Sequence, residues 1–222
     1  MTGVNDTEID LREVVVFAGS FPALARASAA VQRGELVALT GANGAGKTTL
    51  LNVCAGLATI HSGAATVCGY DVATQASSVR ASVGVAASES MMYPDLTVMD
   101  NLGFWIQACG ADPARIVPAL ERLDVESRLG DVAVSQLSTG QRRRVELARV
   151  VALARPLWLL DEPHSGLDPG GRDLVDELMR EAAASGVTVV FSTHEMDRTA
   201  AVADRSIEIV NGYVADLSAE AT

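Results

Sequence analysis

The 222 residues carry 49% hydrophobic side chains and a formal net charge of −11, enough chain to bury one α/β core with a modest inserted lobe. The acidic balance argues against a general affinity for nucleic acid, whose phosphates are held mainly by Lys and Arg. No apolar run reaches the ~20 residues of a membrane-spanning helix, and Met1 to Glu13 is acidic and polar where a secretory signal would be basic and then apolar, so a cytoplasmic protein is expected.

Short apolar runs alternate with helical patterns along the chain. Val14 to Phe17 reads as the first strand and Leu36 to Leu39 as the second. The second runs into Gly41-Ala-Asn-Gly-Ala-Gly-Lys47-Thr48 and a helical stretch, Thr49 to Leu57. This satisfies the phosphate-loop pattern G-x-x-x-x-G-K-[ST] in its proper strand-loop-helix setting. Glycines let backbone N–H groups turn inward around phosphates, and the helix N-terminus adds a favourable dipole. Asn43, Gly44, Ala45, Gly46, Lys47, Thr48 and Thr49 are therefore the candidate contacts to a nucleoside triphosphate, with Lys47 reaching its terminal phosphates and Thr48 holding Mg²⁺. Lys47 is also the sole lysine beside 16 arginines. A compact ammonium suits a phosphate loop where a broad guanidinium would not.

Val83 to Ala87 is the next strand, after which the strand pattern lapses from Pro94 to Leu137. Thr97 and Asp100 cap a helix through Ala108, and Pro113 opens another that reaches Leu123. Residues 94–137 are read as a helical lobe inserted in a single domain spanning 1–222. Leu137-Ser-Thr-Gly-Gln141 then opens an amphipathic helix in which Ser138 and Gln141 form a capping box. Its N-terminus is a second anion site, and Gly140 admits close approach of a phosphate. The Arg142 to Arg144 cluster on this helix reads as a solvated face as readily as a local basic site.

Leu157 to Leu160 is a buried strand ending in Asp161-Glu162, where a phosphate-loop enzyme keeps its second Mg²⁺ contact and its water-positioning group. Asp161 would serve the metal and Glu162 the water; an acidic turn before Pro163 is the plain alternative. Val187 to Phe191 ends near His194, placed to sense the γ-phosphate at the same crevice, although a lone histidine also has an ordinary structural reading. Ile207 to Val210 and the turn Val210-Asn-Gly-Tyr213 predict a terminal hairpin with an antiparallel edge. The fold expected is thus α/β, with a mixed, mostly parallel sheet. Cys54, Cys68 and Cys109 lie far apart and read as reduced core thiols.

Gly41 to Thr48, Leu137 to Gln141, Leu160-Asp-Glu-Pro163, Ser165-Gly-Leu-Asp168 and His194, in this order, resemble the nucleotide-binding subunit of ATP-binding cassette (ABC) transporters. The resemblance covers nearly the whole chain, and the short signature Leu-Ser-x-Gly-Gln separates this family from other phosphate-loop ATPases. It implies a head-to-tail dimer, with a second copy or a paralogue, around two ATP molecules. Ser138 and Gly140, within the signature that Gln141 completes, would face the γ-phosphate on the opposite Lys47, and Asp168 would lie at the seam. Glu162 would position the attacking water and His194 would contact the γ-phosphate.

The same resemblance implies transmembrane permease subunits as partners, with the chain peripheral on the inner face of the cell membrane. Thr139 replaces the usual first glycine of the signature. Ser88 falls where a glutamine usually joins Mg²⁺ to the transporter-facing lobe, and Glu89 is its one-residue neighbour. Phe17, about one position out of register, is the candidate for stacking on adenine, with Phe21 as fallback. The short length and Met92-Tyr-Pro-Asp-Leu-Thr-Val-Met-Asp-Asn-Leu102 look most like exporter ATPases, the haem-handling subgroup of cytochrome c maturation among them. The alternative is a soluble ABC ATPase of the iron–sulfur assembly, translation or repair type. A kinase or GTPase would leave Leu137 to Gln141 without a role.

Overall fold

A computed structural model describes residues 6–215; the outermost residues of the 1–222 reading, 1–5 and 216–222, lie outside the described residues. The chain opens with a long hairpin, β1 (Thr7–Ala18) and β2 (Phe21–Gln32). Next come β3 (Leu36–Thr40), the phosphate loop and α1 (Lys47–Cys54), then β4 (Ser62–Val67), β5 (Tyr70–Asp71), α2 (Ala76–Ser82) and β6 (Val83–Ala86). The helical stretch holds α3 (Val98–Ala108) and α4 (Ile116–Arg122) with short 3₁₀ turns between and after them. It leads to α5 (Thr139–Leu153), β7 (Leu157–Leu160), α6 (Pro169–Ala184), β8 (Thr188–Ser192), α7 (Met196–Val202), β9 (Arg205–Val210) and β10 (Tyr213–Ala215).

Six strands form a sheet in the order β10-β9-β3-β8-β7-β6. Neighbours from β9 to β6 run parallel, and β10 returns antiparallel to β9 across the Asn211-Gly212 turn. This is the mixed sheet with an antiparallel edge that the apolar runs foretell. A parallel strand buried on both faces is apolar along nearly all of its length. In β3, Leu36 and Ala38 enter the layer shared with α3, α5 and α6, while Val37 and Leu39 enter the layer shared with α1 and the second sheet.

The second sheet is antiparallel, in the order β2-β1-β4-β5. Val14 to Phe17 belongs to it, within β1, and not to the parallel sheet. Strand β2 is hidden in the sequence because a bulge breaks its alternation: Val14 faces Ala27 while Val16 faces Leu24, two steps against three. Arg26 absorbs the extra residue at φ 56°. Its buried positions therefore fall at Leu24, Ala27 and Val31, a spacing that imitates a helix.

The inserted helices pack on α5 through Leu102, Ile106, Leu120 and Leu123 against Val145, Ala148 and Ala152. Thr97 caps α3 by accepting from Asp100 N at 3.1 Å. The buried Asn101 secures the entry loop: its amide donates to the carbonyls of Tyr93 and Thr97 at 2.9 and 3.0 Å, and its Oδ1 accepts from Tyr93 N at 2.8 Å.

Candidate functional site

Parallel strands present their C-terminal ends to one edge of the sheet, where ligands of open α/β folds collect. The loop after β3 occupies that edge. Gly46 has φ 116°, and a Cβ there would stand 2.6 Å from the Ala23 carbonyl of β2, so only glycine fits. Helix α1 has no side-chain cap, which leaves its first N–H groups for an anion. Lys47 is buried, and its Nζ donates to the carbonyls of Gly41 and Ala42 at 2.7 and 3.1 Å. Gly212 N donates to Ala45 O at 2.8 Å, bracing the loop from the terminal hairpin.

Asp161, at the end of β7, receives the Thr48 hydroxyl on one carboxylate oxygen at 2.7 Å and the Ser192 hydroxyl on the other. A carboxylate beside a hydroxyl is the hard oxygen set that Mg²⁺ takes together with phosphate oxygens, so these residues fit that ion. Glu162 follows with a left-handed backbone, φ 49°, held by its N–H donating to Ser192 Oγ at 2.9 Å. Its carboxylate is 34% exposed and lies 3.6 Å from His194 Nδ1. The loop after β8 thus brings His194 beside Glu162, in a cavity that Asp161 does not line.

Two supports escaped the sequence reading. Ser192 ties Asp161 to Glu162, and Arg143 is no solvated face: it is buried, donates to the carbonyls of Asp161 and Ala87, and pairs with Glu146 at 3.1 Å. Its carbonyl partners lie on the strand ends that carry the site. The signal available was Glu146 at i+3 on an otherwise apolar helix face.

The signature sits elsewhere. Ser138 caps α5 by accepting from Gln141 N at 3.2 Å, and Gln141 Oε1 accepts from Ser138 N at 2.9 Å. Asp168 caps α6 from Gly171 N at 3.2 Å and faces Arg144 at 3.5 Å. Ser138, Gly140, Gln141 and Asp168 line one cavity of 520 Å³. Asn43, Gly44, Gly46, Lys47, Thr48 and Thr49 line another of 420 Å³ with Asp161 and Glu162. The two cavities share no residue.

Ser88 is exposed and lines the loop cavity, whereas Glu89 is absent from its walls. Phe17 stands apart from the phosphate-loop cavity. Its ring stands edge-on to His61, centroids 4.9 Å apart, and the cavity wall is formed by Ala18 instead. Successive side chains of a strand point to opposite faces, so the one-residue offset turns Phe17 away. Phe21 pairs with Ala18 across the hairpin, and paired residues share a face.

A phosphate loop, a paired carboxylate and a signature helix on this sheet define an ABC ATPase. Residues 24–165 match the ABC transporter family, and the chain belongs to it, as an ATP-binding subunit. It is similar to the Nod factor export ATP-binding protein I of Burkholderia orbicola, 36% identical over 208 residues, 92% of this chain and 68% of that protein. The cytochrome c biogenesis ATP-binding export protein CcmA of Rhodopseudomonas palustris is 37% identical over 161 residues, 72% of this chain and 78% of that one. The sulfate/thiosulfate import ATP-binding protein CysA of Caulobacter vibrioides is 37% identical over 214 residues, 93% and 63%. Among solved structures, an ATP-binding subunit of an ABC transporter superposes with a TM-score of 0.87 at 28% identity, covering 94% of this chain and 88% of that chain. Among the described residues no helix is long and apolar enough to cross a membrane.

Proposed function

We propose that the chain is the ATP-hydrolysing subunit of an exporter, closing with a second copy or a paralogue around two ATP molecules to drive separate transmembrane permease subunits. One observation carries this reading. The phosphate loop and the signature helix line separate cavities of the same chain, so a second subunit is the natural source of the missing half of each site. Lys47 and the N-terminus of α1 hold the phosphates of one ATP, and Ser138 and Gly140 of the other subunit face its γ-phosphate, with Asp168 at the seam. Glu162 orients and accepts the proton of the attacking water, and His194 contacts the γ-phosphate. Thr48 and Asp161, with Ser88 nearby, would hold Mg²⁺, which supplies charge neutralisation at the phosphates. The N-terminus of α5, acting from the other subunit, takes the place an arginine finger holds in other phosphate-loop enzymes.

The permease is expected at the helical lobe, where Tyr93, Leu96, Met99 and Phe104 are exposed and the rings of Tyr93 and Phe104 meet edge-on at 5.3 Å. An apolar group of this kind on a soluble surface marks an interaction site. It would hold the chain on the inner face of the cell membrane. The relatives include export proteins and an import protein; export is the direction proposed, on the resemblance of Met92 to Leu102 to exporter ATPases, and haem export for cytochrome c maturation is the more particular candidate.

Replacing Glu162 by Gln tests the mechanism. Turnover should fall by at least about a hundredfold while ATP and Mg²⁺ trap a dimer on size exclusion; a variant that stays monomeric at saturating ATP would remove the sandwich. Recovery of the chain with cytosolic partners alone, never with membranes, would remove the permease.

A further inference from the structure

Residues 163–167 join the carboxylate of Glu162 to Asp168, so one short turn serves both faces of the site. Within it, Ser165 N donates to Glu162 O at 3.0 Å and Leu167 N to His164 O at 3.2 Å. Its backbone is left-handed at Glu162 and Gly166, φ 49° and 74°. A non-glycine residue keeps such a conformation only where its surroundings over-determine it.

His164 supplies part of that determination. Its Nε2 lies 2.7 Å from Asp176 Oδ1 on α6, and both side chains are buried. Its ring stands edge-on to Phe191 of β8, centroids 6.2 Å apart. A purely packing role would be met by an apolar side chain; a buried imidazole bound to a buried carboxylate instead fixes ring orientation, since breaking the bond strands a polar group away from water. His164 also lines a 140 Å³ cavity together with Glu162 and His194. The phosphate loop, signature and paired carboxylates use neither His164 nor Asp176.

We infer that His164 is a positioning residue for hydrolysis: anchored on Asp176, it sets the turn that holds the Glu162 carboxylate beside His194. The inference deepens the proposed function and rests on Glu162 acting on water. It acts through geometry alone, so nucleotide binding at Lys47 and α1 is left untouched.

The test compares His164→Ala, His164→Gln and Glu162→Gln in the full chain, measuring steady-state hydrolysis and equilibrium ATP binding. His164→Ala should lower kcat by about ten- to a hundredfold, the scale of a misplaced reacting group, with ATP affinity within about twofold of the parent. His164→Gln, whose terminal amide can donate to Asp176, should recover kcat to within about threefold. In the Glu162→Gln background, His164→Ala should lower the residual rate no further, the non-additivity of two residues acting as one unit. Parental kcat in His164→Ala overturns the inference, as does a parallel loss of kcat and ATP affinity in both His164 variants, which marks plain fold support. If Glu162→Gln itself hydrolyses ATP at the parental rate, the functional reading falls too, and that result is distinct from the other two.

Discussion

Ser192 shows how much one hydroxyl can arrange. It donates to Asp161 and accepts from Glu162 N, so it sets the angle between the carboxylate proposed for Mg²⁺ and the one proposed for the attacking water. Glu162 has the left-handed backbone that costs an ordinary residue about 1–2 kcal/mol, and this bond helps offset the cost. Phe21 is 79% exposed and pairs with Ala18, which lines the phosphate-loop cavity. Phe21→Ala should weaken ATP binding by about five- to a hundredfold, the 1–3 kcal/mol of a base stacked on a ring. Phe17→Ala should leave it unchanged; titration with ATP and with inorganic triphosphate separates loss of base stacking from loss of phosphate contact. The motif residues were legible because Gly41 to Thr48 is contiguous and its chemistry is local. Ser192 and Arg143 were not, since their bonds to Asp161 cross 31 and 18 positions.

At the level of elements, the signature helix and the turn before α6 are fitted to each other. A Cβ on Gly166 would lie 2.6 Å from Thr139 Cγ2, so the unusual threonine and the glycine form a matched pair. Gly166→Ala should cost about 1–3 kcal/mol from strain at φ 74° and from this overlap. Adding Thr139→Gly should return part of the loss, and the coupling in a double-mutant denaturation cycle measures it. A strictly additive pair would mean the contact is relaxed at no cost. The capped helices α3 and α5 could be read from Thr97 and Ser138, because capping is decided within four residues. Strand β2 could not, because its bulge at Arg26 is set by its pairing with β1.

For the molecule as a whole, two apolar layers meet on opposite faces of the parallel sheet, and each carries a share of the site. The sheet was legible from unbroken apolar runs such as Leu157 to Leu160. The second sheet was not, since β4 is short and small-sided and is defined by its pairing with β1, and β5 is two residues that pair with β4. The thiols report on the layer beneath the loop. Burial pushes Cys54 up to about 12, and burial, with Glu8 adding to it, raises Cys68 as well. A raised thiol pKa means less thiolate at any given pH, so both should resist iodoacetamide at pH 8 and react within minutes once the chain is unfolded, read by peptide mass. Rapid labelling of Cys54 in the folded chain would mean that the layer between α1 and the second sheet opens readily.

Lys47 has a practical consequence. It is the sole side-chain amine in the sequence and is held inward by two carbonyls of its own loop. An amine-directed dye small enough to enter therefore tags a single side chain, the one proposed to meet the phosphates of the nucleotide. The native chain is its own occupancy probe: the fraction acylated at Lys47, read by peptide mass so that the terminal amine is counted apart and followed against ATP concentration, gives an affinity with no engineered label.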